Sequence, residues 1–161
     1  MNSQQKTLIT IVGPTAIGKT SLSILLANYF NTQIISCDSR QFFKEMNIGT
    51  AVPDLEELAA AKHHFIQNKS IFDNYNVGQF ERDALAKIDE LFLTNSIQIM
   101  VGGSGLYVDA VLKGLDYFPD VDKKIREDLT SILIEKGIET LQEKLKTLDP
   151  ETYNTIALNN P

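Results

Sequence analysis

The stretch from Thr7 to Thr20, TLITIVGPTAIGKT, constrains this chain more than any other. Thr7–Val12 (TLITIV) is short, apolar and β-branched, which reads as a buried strand. It runs into the pattern G-x-x-x-x-G-K-[ST], met by Gly13, Gly18, Lys19 and Thr20. Behind it, Ser21–Phe30 places Leu22, Leu25, Leu26 and Tyr29 at helical spacing. A strand, a glycine loop and a helix start in this order form an anion cradle. The glycines let backbone N–H groups converge on a phosphate, and the helix adds its positive end. Lys19 supplies a point charge, and the Thr20 hydroxyl is a ligand for Mg²⁺. The competing reading is an ordinary glycine turn, and the strand and helix on either side argue against it. The loop alone leaves open whose phosphate it holds: ATP that is hydrolysed, a nucleotide that donates a phosphoryl group, or a diphosphate that leaves.

The rest of the chain alternates in the same manner. Gln33–Cys37 reads as a second strand, closed by the polar run Asp38, Ser39, Arg40, Gln41. Asp54 and Glu57 have capping-box spacing before a short helix rich in Leu and Ala. His63–Ile66 has the length of a short strand. Gly78–Thr94 predicts an amphipathic helix with Phe80, Ala84, Leu85, Ile88, Leu91 and Phe92 on one face. Ile97–Val101 reads as a further buried strand, followed at once by GGSGLY. Strands alternating with helices indicate a parallel sheet in a layered α/β fold. After Gly114 the character changes, and Val121–Ala157 shows helical periodicity only, with Asp149 and Pro150 suited to the start of a last helix. This divides the chain into a core over 1–118 and a helical insertion over 119–161, closing on the turn-like LNNP.

A single cysteine, Cys37, excludes an internal disulfide framework and makes a reducing cytoplasm the simplest setting. No run approaches the ~18 apolar residues of a membrane helix, so no membrane partner is expected. The net charge of −6 is a poor match for a chain that grips nucleic acid by itself.

Three further groups are candidates for chemistry. Asp38 stands at the carboxyl end of a predicted strand, where open α/β sheets place their ligand crevice. It suits a general base, a Mg²⁺ ligand or a helix cap, and spacing does not choose among them. Ser39 and Gln41 suit substrate hydrogen bonds or the capping of a turn equally. Gly102–Tyr107 is another anion-tolerant turn, or a strand-to-helix connection with Tyr107 packed inward. His63 and His64 are adjacent and would point to opposite faces of a strand, which argues against a shared metal. Cys37 reads as a small buried hydrophobe rather than a nucleophile.

GPTAIGKT, DSRQ, NIGTAVP, HHFI, YNVGQF and GGSGLY stand in the order seen in tRNA dimethylallyltransferases, and from about Leu8 onward the chain resembles that family. The resemblance implies a P-loop NTPase-like three-layer fold with a parallel sheet and the start of a helical insertion. It implies transfer of a dimethylallyl group from dimethylallyl diphosphate to the exocyclic amine of an adenosine beside the tRNA anticodon. The phosphate loop, Gly13, Pro14, Thr15, Ala16, Ile17, Gly18, Lys19 and Thr20, would hold the donor diphosphate, with Mg²⁺ at Thr20 and Thr15 near the breaking bond. Asp38 would take the proton of the attacking amine. Asp38, Ser39, Arg40 and Gln41 would lie along the tRNA, with Ser104 and Arg126 as further tRNA contacts. Ser104 replaces the usual threonine and keeps its hydroxyl, and Gln67 stands where an acidic residue is common. Family sequences continue past NNP into an Arg-rich helix and a long second half that carries a further arginine for the diphosphate, so this chain reads as the N-terminal part of an enzyme expected to be monomeric at full length. The alternatives are a small-molecule P-loop kinase, an isopentenyltransferase acting on free adenine nucleotides, and a nucleotide-binding module without catalysis.

Overall fold

The computed structural model describes residues 5–115 and 121–158. The chain divides into two compact units, Met1–Asp116 and Tyr117–Pro161. The expected boundary at 118/119 and the closing NNP lie outside the described residues.

In the first unit the elements are β1 (Thr7–Val12), α1 (Lys19–Phe30), β2 (Ile34–Ser36), α2 (Leu55–Ala60), β3 (His63–His64), α3 (Val77–Leu91), β4 (Ile97–Gly102) and α4 (Gly105–Lys113). The four strands are parallel in the order β1-β4-β2-β3. Parallel strands need crossover helices, and these cover both faces. The period-2 alternation of side chains decides which residues meet which layer. Ile9, Ile99 and Ile34 stand in register across three strands and pack under α1, with Ile11 and Val101 beside them. Leu8, Met100, Ile35 and Cys37 face the other way, toward α3 and α4. This is the three-layer α/β arrangement expected from the resemblance.

The second face carries the larger core. Phe42 and Phe80 are fully buried and stacked, with ring centroids 5.0 Å apart. Tyr107 packs against both rings, as expected for the inward version of the GGSGLY turn. Each fully buried aliphatic or Phe side chain contributes ~1.5–3 kcal/mol. The α3 helix presents Phe80, Ala84, Ile88 and Leu91 to this core, whereas Leu85 remains 41% exposed. Its start lies one residue earlier than expected because Asn76 and Gln79 form a reciprocal capping box. Asp54 and Glu57 form the expected one ahead of α2.

The α1 helix differs from its expected apolar stripe. It reaches the sheet through the small, buried Ser23 and Ala27, with Ile24 and the expected Leu26 packed against the same cluster, while Leu22, Leu25 and Tyr29 are exposed. Small side chains let the helix sit close on the isoleucine ladder, and Ser23 Oγ satisfies itself by donating to the Thr20 carbonyl at 2.7 Å. The buried Gln98 of β4 is fully paired: its Nε2 donates to the carbonyls of Leu91 and Asn95, and its Oε1 accepts from Thr32.

The second unit is helical: α5 (Lys123–Lys136), α6 (Ile138–Leu148) and α7 (Pro150–Thr155). Asp149 caps α7 and Pro150 occupies its first turn. No helix among the described residues is long and apolar enough to cross a membrane.

Candidate active site

The phosphate loop joins β1 to α1. Gly18 sits at φ 94, a left-handed value that favours glycine, and α1 begins at the next residue. Ala16 is also left-handed, at φ 64. Lys19 Nζ donates to the Pro14 carbonyl at 2.7 Å, folding its side chain back over the loop.

The turn carrying Asp38 is brought to this loop by the neighbouring strand. Cys37 N–H donates to the Val101 carbonyl at 2.8 Å, which extends the β2–β4 pairing past the end of β2. Gly102 is packed so closely there that a β-carbon on it would lie 2.6 Å from the Cys37 carbonyl carbon and sulfur. Beyond that contact, a β-carbon on Gly103 would meet Asp38 Oδ2 at 3.7 Å and the Gly13 carbonyl at 3.9 Å. Close packing at Gly102 thus brings the Asp38 turn against the end of β4, beside the phosphate loop, while Gly103 leaves room for an ordinary contact. The Asp38 carboxylate accepts the Arg40 N–H at 3.1 Å, which orients it within its own turn.

One cavity of about 350 Å³ is lined by Thr15, Ala16, Gly18, Lys19 and Thr20 and by Asp38 and Gln41. Ser39 meets Ser104 instead: its N–H donates to Ser104 Oγ at 3.0 Å, and the two hydroxyl oxygens are 3.1 Å apart. Pro14 and Ile17 are exposed parts of the loop, and Gly13 borders a separate small crevice with Gly102 and Gly103. Arg40 is exposed and does not line the cavity. Arg126 is an exposed residue of α5 in the second unit.

The same cavity is also lined by residues to which no motif or spacing assigns a role: Ser36, Ala51, Val52, Pro53, Ile66 and Val101. Glu57 and His63, noted only as a capping residue and as half of a histidine pair, also line it. The reach from Gln41 to residue 51 requires the tertiary fold.

Burial, reinforced by the Asp38 charge, pushes the Cys37 thiol up to about 12. It therefore stays protonated and inert, in keeping with its place in the core. His63 Nδ1 lies 2.8 Å from the Ala61 carbonyl, so this nitrogen carries the proton. Its buried Nε2 has no partner among the described residues. Burial holds the His63 ring below the usual histidine range. His64 Nε2 pairs with Gln33 Oε1 at 2.7 Å. Among the described residues no group of three or more His, Cys, Asp or Glu could hold a metal ion.

The IPP transferase family profile matches residues 41–161. The tRNA dimethylallyltransferase of Flavobacterium johnsoniae is 65% identical over 156 residues, which are 97% of this chain and 50% of that protein. The full-length tRNA isopentenylpyrophosphate transferase of Bacillus halodurans superposes with a TM-score of 0.67 at 36% identity, over 97% of this chain and 52% of that one. A eukaryotic dimethylallyltransferase, whose crystallographic snapshots show it acting on tRNA, superposes with a TM-score of 0.79 at 26% identity, over 97% of this chain and 39% of that one. The chain spans about half the length of the curated relatives it matches. With a phosphate loop, an acid turn and a family profile covering most of its length, the chain belongs to the IPP transferase family.

Proposed function

We propose that this chain carries the donor-binding and proton-accepting part of a tRNA dimethylallyltransferase. The observation that carries this reading is the single cavity in which Lys19, Thr20 and Thr15 meet Asp38. A phosphoryl-transfer enzyme and a prenyl-transfer enzyme use such a loop differently. Here the diphosphate would be the leaving group and would depart intact.

In the reaction the exocyclic nitrogen of a tRNA adenosine forms a bond to the first carbon of the dimethylallyl group. The carbon–oxygen bond to the diphosphate breaks, and the diphosphate leaves with the electron pair. Negative charge grows on the leaving oxygens as this happens. The loop N–H groups and Lys19 would stabilise this charge as it develops in the transition state. Asp38 accepts the proton lost by the nitrogen, a role worth ~10²–10⁴-fold in rate. The Thr20 hydroxyl and the Asp38 carboxylate are hard oxygen donors lining one cavity, a set that suits Mg²⁺ held mainly by phosphate oxygens and water. Bound there with Thr20 as ligand, Mg²⁺ would supply further charge stabilisation to the diphosphate.

The Ser39–Ser104 pair ties the N-cap of α4 to the turn that carries Asp38, and a tRNA substrate would enter beside it. The adenosine is stacked in its loop and would have to be drawn out before reaching the donor, at a cost of a few kcal/mol. Arg126 is the basic contact the insertion would make to holding it.

The test is single-turnover transfer from labelled dimethylallyl diphosphate to unmodified tRNA, using a form that carries the full length of the relatives. Label in the adenosine beside the anticodon is the expected result. ATP consumption with a small alcohol acceptor and no labelled tRNA would overturn the reading.

A further inference from the structure

Gln41 has every hydrogen-bonding group engaged within the protein. Its N–H donates to the Asp38 carbonyl at 3.0 Å, and its carbonyl accepts from the Gln67 N–H at 2.8 Å. Its side-chain Oε1 accepts from Ser36 Oγ at 3.1 Å. Its two amide hydrogens go to the Thr50 carbonyl at 3.3 Å and the Ala51 carbonyl at 2.7 Å. An amide has two donor hydrogens, so its donor capacity is committed to these two carbonyls.

The segment that Gln41 holds is the connection from Gly49 to Pro53. It has no regular ladder of its own, and Ala51 adopts a left-handed φ of 49. A non-glycine residue persists there only when its surroundings over-determine it. Buried Thr50 adds a second tie, donating to the Met46 carbonyl at 2.7 Å. Ala51, Val52 and Pro53 supply three consecutive apolar side chains to the wall of the cavity that Asp38 also lines.

We infer that Gln41 is a positioning residue: it straps the 49–53 loop to the carboxyl end of β2 and so sets the apolar wall against which the donor's hydrocarbon group rests. The strap fixes that wall relative to Asp38, because Ser36 and the Asp38 carbonyl are the other two anchors of the same glutamine. The diphosphate end of the donor does not depend on it. This inference rests on the prenyl-donor reading given above.

The test compares the 161-residue chain with Gln41→Leu, which keeps the bulk without the amide, and Gln41→Glu, which keeps an acceptor but loses both donors. Two ligands, inorganic diphosphate and dimethylallyl diphosphate, are titrated calorimetrically into each. Hydrogen exchange is followed at residues 49–53. The wild type is expected to bind dimethylallyl diphosphate more tightly than diphosphate. Both variants are expected to retain diphosphate affinity within about twofold, lose most of that preference, and exchange at least about tenfold faster at 49–53. Equal loss for both ligands would make Gln41 a general structural residue and overturn the inference. So would unchanged exchange. A wild type with no preference for the prenyl compound would instead sink the donor reading, and exchange at 49–53 would still decide the strap. In the full-length form, weakened tRNA binding with intact donor preference would return Gln41 to a nucleic-acid contact and overturn the inference.

Discussion

Ser104 Oγ accepts the Ser39 N–H at 3.0 Å and lies 3.1 Å from the Ser39 hydroxyl, across 65 residues of chain. The N-cap residue of α4 is thereby joined to the turn that follows β2. Ser104 caps no N–H of its own helix, so its hydroxyl serves the neighbouring turn instead. The Asp38 turn is held from three sides: by Arg40 N–H on the carboxylate, by Gln41 N–H on the carbonyl, and by Ser104 on Ser39.

Ser104→Ala would leave the Ser39 N–H without this partner. A partly buried donor stranded in this way costs about 1–3 kcal/mol, with the low end expected at a half-exposed turn. Ser104→Thr keeps the hydroxyl and is expected to match wild type within experimental error. Urea denaturation of the two variants checks this, and equal stability of Ala and wild type would show the bond to be without consequence.

Gly102→Ala tests the close approach that brings Asp38 to the phosphate loop. The added carbon would stand 2.6 Å from backbone of Cys37, which cannot yield as a flexible side chain can. Overpacking of this kind costs about 1–3 kcal/mol. The variant is expected to lose thermal stability and diphosphate affinity together. Gly105→Ala, with nothing within 4 Å of its β-carbon position, is the control and should change neither.

The two histidines give stability a defined pH dependence. Burial lowers the proton affinity of both His63 and His64 below the ordinary 6.5. The unfolded chain therefore binds more protons than the folded one as pH falls below 6.5, and folding stability falls with it. The stability is fully present above pH 6.5 and is lost progressively toward the lower folded values. Glu45, Glu90 and Asp149 are lowered too, by hydrogen bonds from Ser70, Lys87 and Thr152. Their contribution is lost only as pH drops below 4.5, the ordinary glutamate value, whereas the histidine loss begins at 6.5. Urea midpoints of the 161-residue chain between pH 7.5 and 5 should fall, and His63→Gln should flatten that fall. An unchanged slope in His63→Gln would show that the ring does not titrate differently on folding.

Much of this was legible from local pattern. The TLITIV strand, the glycine loop, the Asp54–Glu57 box and the IQIMV strand each announce themselves through periodicity or fixed offsets. Leu22, Leu25 and Tyr29 misled because helical spacing names a face without saying which face meets the sheet. The fully buried residues of α1 are Ser23 and Ala27, whose value is their small size against an isoleucine ladder formed by three separate strands. The site divides the same way. Lys19, Thr20 and Asp38 sit at positions set by strand ends. The Val52–Pro53 wall and the Gln41 strap depend on contacts between loops that spacing does not encode.

Asp38 and Lys19 line one cavity yet should fail in different ways when altered. Lys19→Ala removes a positive charge from the phosphate loop, so affinity for inorganic diphosphate and for dimethylallyl diphosphate should fall together, with the fold intact by circular dichroism. Unchanged donor affinity would rule out this use of the loop. Asp38→Asn keeps the shape of the side chain and its acceptor for the Arg40 N–H but removes its basicity. In the full-length form, single-turnover prenylation should drop by ~10²–10⁴-fold, while donor and tRNA affinities change little. If Asp38→Asn instead abolishes Mg²⁺-dependent donor binding, Asp38 is a metal-associated ligand and the proton goes elsewhere.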